Sequence, residues 1–509
     1  MKVFQWVSKI GLLIILLSVL SACSRVVYIP VPTPVAVIKA DPTRGYSILK
    51  VQFDGSGSYD TQQAPLVSYR WDFGDGSSGS GAKTAHSYEQ NREFTATLTV
   101  VDQQGYTGSA SVVVSVLPPE PSPTSPPNNL QFASAQTIYF QAEWNPSDLA
   151  LGDVNEDGFV DVILTQPTMG SADSLFVLFG NGHGQFGEKV LGPGPNLTEV
   201  RAQRALEVGD GPVSLALGDL DEDGHLDIVV ANSISKDLTI FFGDGKGDFP
   251  KRETISLGYR FPAIVRLADF NQDKHLDIVI GNSFPTKLTV ILGDGQGEFE
   301  DPQDIDIGRW PITALEIADL NHDEIPDLAV LDKSGGLTLL SGDGTGDFHL
   351  LGTQQTQAIE SRGSLGFGDF NKDSDLDIAL PVEASNSFAL RLFLLGAGGA
   401  GLDKPRDATI DRNPVGLQVA DVDADGNLDV VVAVSGAGAA SIAFLRGDGA
   451  GNFYEPSFFS LGPGQLVPRK LILADVDGDG DLDAITLNTL ASFPLHASGS
   501  LSILLNTAK

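Results

Sequence analysis

The chain has 509 residues and carries 66 acidic against 32 basic side chains, a formal net charge of −34. Such acidity argues against nucleic acid or an anionic membrane surface as partner, because like charges repel. Cys23 is the single cysteine, so no intrachain disulfide framework is possible.

Residues 1–22 read as an export signal. Lys2 and Lys9 flank an apolar core, Ile10 to Val19, that is too short for a convincing spanning helix. The segment ends in Leu20-Ser-Ala-Cys23, which is similar to the lipobox of bacterial lipoproteins. That resemblance implies lipidation of Cys23, contact with the membrane through the lipid alone, and a place in the bacterial envelope. Ser24 follows rather than Asp, which in Gram-negative lipoproteins implies sorting to the outer membrane. Residues 23–34 form a tether whose prolines, in Tyr28-Ile-Pro-Val-Pro-Thr-Pro34, favour an extended chain.

Residues 35–117 read as a β-sandwich. Trp71 and Phe73 fall on alternate positions of a strand running into an Asp-Gly turn, and Phe94, Ala96, Leu98 and Val100 alternate along another. Trp71 is expected as a core anchor, and Asp72 and Asp75 as turn hydrogen bonders. Phe53-Asp-Gly-Ser-Gly-Ser-Tyr-Asp60, Tyr69-Arg-Trp-Asp-Phe-Gly-Asp-Gly76 and Phe94 to Asp102 resemble the PKD family, which implies an immunoglobulin-like sandwich acting as spacer or binding module. A proline-rich linker, residues 118–129, follows.

Residues 130–509 hold seven copies of an acidic loop, D-x-[DN]-x-D-x-x-x-D, mostly 50 to 54 residues apart and 66 between the first two. A fixed period near 50 signals one supersecondary unit that must stack on its neighbours. Oxygen ligands at alternate positions of a tight loop converge on one point, which suits a hard cation of calcium's size. Side-chain ligands are expected from Asp153, Asn155, Asp157 and Asp161, with the Phe159 backbone carbonyl, in the first copy. The second has Asp219, Asp221, Asp223 and Asp227 with His225, and the third Asp269, Asn271, Asp273 and Asp277 with His275. The fourth has Asp319, Asn321, Asp323 and Asp327 with Ile325, and the fifth Asp369, Asn371, Asp373 and Asp377 with Asp375. The sixth has Asp421, Asp423, Asp425 and Asp429 with Asn427, and the seventh Asp475, Asp477, Asp479 and Asp483 with Asp481. Up to seven Ca2+ are implied. Gly158, Gly224, Gly426 and Gly480 permit the sharp turn at the sixth position, whereas Lys274, Glu324 and Ser374 stand there in three copies. A helix–loop–helix calcium hand is excluded, since its twelfth-position Glu is replaced by residues such as Leu164 and Val230.

Short alternating or β-branched runs flank each loop, as in Ser214 to Gly218 and Leu226 to Val230, and a third run, Leu238 to Phe242, ends in a glycine turn. Four short antiparallel strands per repeat make a propeller blade. Phe179-Gly-Asn-Gly-His-Gly-Gln-Phe186 and Phe242-Gly-Asp-Gly-Lys-Gly-Asp-Phe249, together with the loops, resemble the FG-GAP/VCBS repeat family, which includes the integrin α propeller. The resemblance implies an all-β chain: the sandwich followed by a seven-bladed β-propeller with calcium between the first and second strands of a blade. The last repeat ends without a fourth strand, and Leu130 to Phe140 is expected to supply it and lock the ring.

No histidine pair at metal-ligand spacing, nucleophile elbow or phosphate loop marks a catalytic site. Arg446-Gly-Asp448 falls on a repeat turn and is not read as an adhesion peptide. A protein or glycan ligand is expected at the end opposite the calcium loops. There prolines recur about seven residues before the first loop aspartate, beside Trp144, Tyr259, Arg260, Arg309, Trp310 and Arg412, with Arg362 in the fifth repeat. The longer first connection, within Glu188 to Asp210, is expected to add bulk to that end. The expected function is calcium-dependent binding or adhesion at the cell surface. The alternatives are a polysaccharide-active enzyme of lyase or dehydratase type and a structural subunit of an envelope assembly.

Overall fold

The computed structural model describes residues 34–46, 49–61, 64–88, 90, 92–117, 130–140, 145–167, 173–191, 198–308, 310–356, 364–384, 387–395, 405–410, 412–436, 440–462, 466–490 and 499–507. The expected signal, Cys23 and the proline-rich linker lie outside them, as do Trp144, Arg309 and Arg362. Every regular element among the described residues is a strand. The chain divides into two compact units, Met1–Pro121 and Ser122–Lys509.

In the first unit a five-stranded sheet runs in the order Arg44–Tyr46, Thr107–Leu117, Glu93–Asp102, Leu66–Asp72, Ser78–Ser80. A three-stranded sheet of Lys39–Asp41, Leu49–Asp54 and Lys83–Tyr88 supplies the other half of the core. Phe94, Ala96, Leu98 and Val100 are all buried, as the period-two pattern requires. Trp71 is buried among them and satisfies its indole N–H on the Gly81 carbonyl at 2.9 Å. Asp72 and Asp75 accept the backbone N–H groups of Gly74 and Ser77, both at 2.9 Å, so their role is to hold the turn.

The second unit repeats one motif. Six sheets each consist of four antiparallel strands in chain order, for example Pro212–Gly218, Asp227–Asn232, Asp237–Phe242 and Lys251–Ser256; in five the strands are consecutive, and in the first a hairpin intervenes before the fourth. The final sheet takes its first three strands, Leu466–Ala474, Asp483–Leu490 and Gly499–Leu504, from the C-terminal end. Its fourth is Gln136–Phe140, 365 residues earlier in pairing register (Thr137 opposite Ser502). The expected strand exchange is therefore present. Second strands read as continuous apolar runs, such as Asp227-Ile-Val-Val-Ala-Asn232, because both faces are buried between neighbouring sheets. Ile228 and Val230 pack towards the first repeat, Val229 and Ala231 towards the third. The same division links each sheet to the next, and one cluster joins Leu149, Leu164 and Phe176 of the first sheet to Ile485, Leu501 and Ile503 of the last.

First strands of six repeats, with Ser364 just ahead of the first strand of the fifth, line a common cavity of about 210 Å³. Five residues before the loop aspartate, Asp148 of the first repeat and Lys470 of the seventh stand at equivalent places and pair across it at 2.5 Å. Arg266 and Glu316, equivalent to each other in the third and fourth repeats, pair at 2.7 Å.

Two expectations need correction. Four of the recurring prolines do not lie in the connections: Pro212, Pro262, Pro414 and Pro468 belong to first strands, at register shifts against the second strand, whereas Pro146 and Pro311 precede theirs. A first strand is the edge of its sheet and a bulge leaves one residue unpaired, so a residue with no N–H is tolerated there. The long first connection also goes elsewhere. Glu188–Leu191 and Thr198–Arg201 form a hairpin that pairs with Gln136–Phe140, extending the last sheet to six strands and covering its outer edge.

Candidate metal centre

Each acidic loop joins the first strand of a sheet to the second, and its geometry recurs in all seven copies. The first aspartate turns the chain: its Oδ2 accepts the sixth-position backbone N–H at 2.8–3.0 Å. The fifth-position carboxylate accepts the seventh-position N–H at 2.8–3.0 Å, which tightens the turn between them. The sixth residue has positive φ in every copy, Lys274 (77°), Glu324 (65°) and Ser374 (77°) included, so the three copies without glycine carry backbone strain. The fourth residue is also left-handed, at Glu156, Glu222, Gln272, His322, Lys372 and Ala424, which the sequence does not announce with glycine.

The ninth-position aspartates, Asp161, Asp227, Asp277, Asp327, Asp377, Asp429 and Asp483, are fully buried at the start of the second strand. In each, Oδ2 accepts the loop's second N–H at 2.7–3.1 Å. Oδ1 accepts an N–H at or within two residues of the end of the third strand, also at 2.7–3.1 Å. These residues thus knit three segments together as well as facing the loop. Gly243, one of these donors, approaches Leu226 so closely that a Cβ would lie 2.4 Å from its carbonyl oxygen.

Without a counter-cation the sites are electrostatically costly. Burial pushes the Asp161, Asp227, Asp377 and Asp483 carboxyls up to about 6 and Asp429 to about 7. Asp221, Asp423 and Asp477 are raised by burial and then by neighbouring carboxylates. Oxygens of Asp219, Asp221 and Asp227 lie within 4.8 Å of one another, as do those of Asp475, Asp477 and Asp483, and of Asp421, Asp423 and Asp425. Asp219 Oδ1, Asp221 Oδ1 and Asp477 Oδ1 are buried with no hydrogen-bond partner. Converging, oxygen-only, unsatisfied ligands fit a hard divalent cation such as Ca2+. In copies with Asn at the third position the amide satisfies part of this demand, as Asn155 Nδ2 donates to Asp157 Oδ2 at 3.0 Å.

Comparison with known proteins agrees with this reading of the loops. An FG-GAP-like repeat model matches residues 153–230, 219–280, 269–330, 319–380 and 421–486, together more than half of the chain. The chain belongs to the FG-GAP-like repeat family. A PKD domain model matches residues 31–116 of this FG-GAP-like chain. Among curated proteins it is 31% identical over 191 residues to collagenase ColA of Clostridium perfringens, covering 35% of this chain and 16% of that one. It is 37% identical over 86 residues to a microbial collagenase of Vibrio alginolyticus, covering 16% of this chain and 10% of that one. The chain thus spans less than a fifth of the length of the curated relatives it matches. Among solved structures, the PKD1 domain of Vibrio anguillarum Epp is 32% identical, covering 17% of this chain and 96% of that one at a TM-score of 0.15.

Neighbouring loops of the FG-GAP-like unit are bridged. Glu156, at the fourth position of the first loop, pairs with His225 at the seventh of the second. Glu222 pairs likewise with His275 at 2.5 Å, and His322 with Asp375 at 3.0 Å. His225 and His275 are expected from sequence only as backbone ligands; their side chains turn out to span repeats, and the carboxylates raise their pKa. No spacing within one repeat reveals such pairs.

Because strands alternate in direction, the connections between repeats and the second-to-third hairpins lie at the end away from the acidic loops. There Tyr259 and Trp310 are each 57% exposed, joined by Ile234 at 69% and Phe284 at 68%, which sequence reading missed. The arginines behave differently. Arg260 is mostly buried and committed to Asp304, Nε to Oδ1 at 2.6 Å, while the Tyr259 hydroxyl donates to Asp304 Oδ2 at 2.6 Å. Arg412 donates to Ser441 Oγ at 2.8 Å and lies 4.2 Å from the Phe458 ring centroid. Both tie the connection to the later strands of the sheet it enters and are not free recognition cations.

Proposed function

We propose that the second unit is a closed seven-bladed propeller whose acidic loops hold Ca2+, and that the protein is a binding module displayed on the bacterial surface. Lipidated Cys23 would anchor it in the outer membrane, and the PKD domain would serve as its stalk. Closure is supported by the strand exchange, the shared core cluster and the Asp148–Lys470 pair, all joining first and last repeats. The observation that carries the binding reading is the group of exposed large apolar side chains on three successive repeats, Ile234, Tyr259, Phe284 and Trp310, at the end away from the loops. Aromatic side chains held on a rigid frame dominate recognition surfaces for proteins and stack on sugar rings. The collagenase similarity covers too little of those proteins to bring their activity here. The test is capture from native envelope and on a glycan array, comparing the wild type with a Tyr259→Ala, Trp310→Ala double variant. Loss of capture with an unchanged melting curve supports this end as the surface. Retained capture moves the surface elsewhere, and product release from a glycan would make the protein an enzyme.

A further inference from the structure

We propose that Arg446 is the resident cation of the sixth loop, so that this loop folds without calcium. The inference rests on the calcium reading of the other loops. In each repeat one residue immediately precedes the N–H donated to Oδ1 of the buried ninth-position aspartate. It is Phe179, Phe242, Leu292, Ser341, Leu394 and Leu505 in six repeats, none of them charged, and Arg446 in the sixth. The position overlooks the loop: in the fourth repeat Ser341 Oγ accepts a hydrogen bond from third-position Asn321 at 2.9 Å.

Arg446 uses that vantage with two of its three nitrogens, Nη1 being buried without a hydrogen-bond partner. Its Nε lies 2.7 Å from Asp423 Oδ2 and its Nη2 2.8 Å from Asp425 Oδ2. These are the third and fifth positions of the loop, two of the side chains on which a calcium ion depends. The pair is well shielded, with the Arg446 side chain 14% and Asp423 3% exposed. A planar guanidinium bridging two carboxylates makes short, charge-assisted bonds that Ca2+ would have to break, and it would then hold one positive charge beside another. The second and seventh loops also carry carboxylates at all four side-chain ligand positions, but Phe242 and Leu505 stand at the equivalent place, and their buried oxygens have no such partner. Asp423 Oδ1 stays inward-facing and unsatisfied, the atom through which the loop would take up an ion once the arginine is removed. The same placement disposes of an Arg-Gly-Asp adhesion role: the guanidinium points into the loop, and Asp448 Oδ1 caps its own turn, accepting from Ala450 and Asn452.

The test is a count of bound ions by native mass spectrometry of the full chain equilibrated with Ca2+. Arg446→Leu, which restores the residue type of other repeats, should bind one ion more than the wild type, and Arg446→Lys the wild-type number. Asp425→Ala should leave the wild-type count unchanged, whereas Asp223→Ala in the second loop should lower it by one. An Arg446→Leu count equal to a non-zero wild-type count overturns the inference, as does loss of an ion in Asp425→Ala, which serves if the first variant does not fold. No ion in any variant refutes the calcium reading itself, and the inference with it.

Discussion

Cross-linking the exchanged strand to its partner tests ring closure with a size that follows from the register. Thr137 on Gln136–Phe140 stands opposite Ser502 on Gly499–Leu504. Both hydroxyls reach the Leu461 carbonyl, at 3.2 and 2.8 Å, so the two side chains leave the sheet on the same face. Directly opposed Cα atoms in an antiparallel pair are about 4.5–5.5 Å apart, inside the range a disulfide spans. Cys23 is the only other thiol, so Thr137→Cys, Ser502→Cys in a Cys23→Ala background gives one possible bridge. It closes a loop of roughly 365 residues, for which chain entropy gives about 6 kcal/mol of stabilisation. Ser502 also accepts from Asn488 Nδ2 at 3.0 Å, and losing these buried hydrogen bonds costs roughly 1–3 kcal/mol. The oxidised form should therefore exceed its reduced form in stability by about 6 kcal/mol, both having lost the same hydrogen bonds, and exceed the wild type by about 3–5 kcal/mol. The difference is read from urea midpoints with and without reductant, with bridge formation followed by gel mobility. Failure of the bridge to form, or an oxidised form no more stable than the reduced one, would refute the exchange.

Lys274→Gly should relieve a left-handed residue and stabilise the protein by about 1 kcal/mol in calcium-free urea titrations; destabilisation would mean that the Lys274 side chain has a role of its own. The raised carboxyls predict an inverted pH response without calcium. Asp227, for example, has a folded pKa of about 6 against an unfolded 3.8, so the folded state binds its proton more tightly. Stability must then fall as pH rises from about 4 to about 7, while the carboxyls with depressed pKa, such as Asp244 and Asp294, act only below that window. Calcium-free melting should accordingly occur at higher temperature at pH 5 than at pH 7.5, with the order reversed in excess Ca2+; a flat profile would contradict the burial argument. Cys23→Ala should release the protein from the membrane fraction with its melting curve intact, and a variant still membrane-bound in high salt would end the anchor proposal.

What the sequence made legible is what one repeat decides by itself. Alternation along Phe94 to Val100, the apolar run Ile228 to Val230 and the D-x-[DN]-x-D spacing each follow from local geometry, and each is found as expected. The partner of the orphan strand was also readable, because a missing fourth strand at one end and a spare strand at the other leave one solution. What stayed hidden depends on the neighbouring repeat or on a distant strand or turn. Glu222 reaches His275 across a repeat boundary, Arg260 spends its charge on Asp304, and Arg446 folds back onto Asp423, none at a spacing that a sequence pattern marks. The left-handed fourth position was hidden for another reason: carboxylate–backbone hydrogen bonds within the loop offset its strain, so residues such as Glu156 and Gln272 are tolerated there without glycine.

Thermal melting of the full chain in excess chelator, then with Ca2+ restored, tests the central claim most directly. A ligand that binds only the folded state stabilises it by about 2.7 kcal/mol per site at a hundredfold excess over its dissociation constant. Several occupied loops should therefore move the transition of the repeat unit to much lower temperature when calcium is withdrawn and return it when calcium is added. A melting curve indifferent to both treatments would show that the acidic loops stand without a metal.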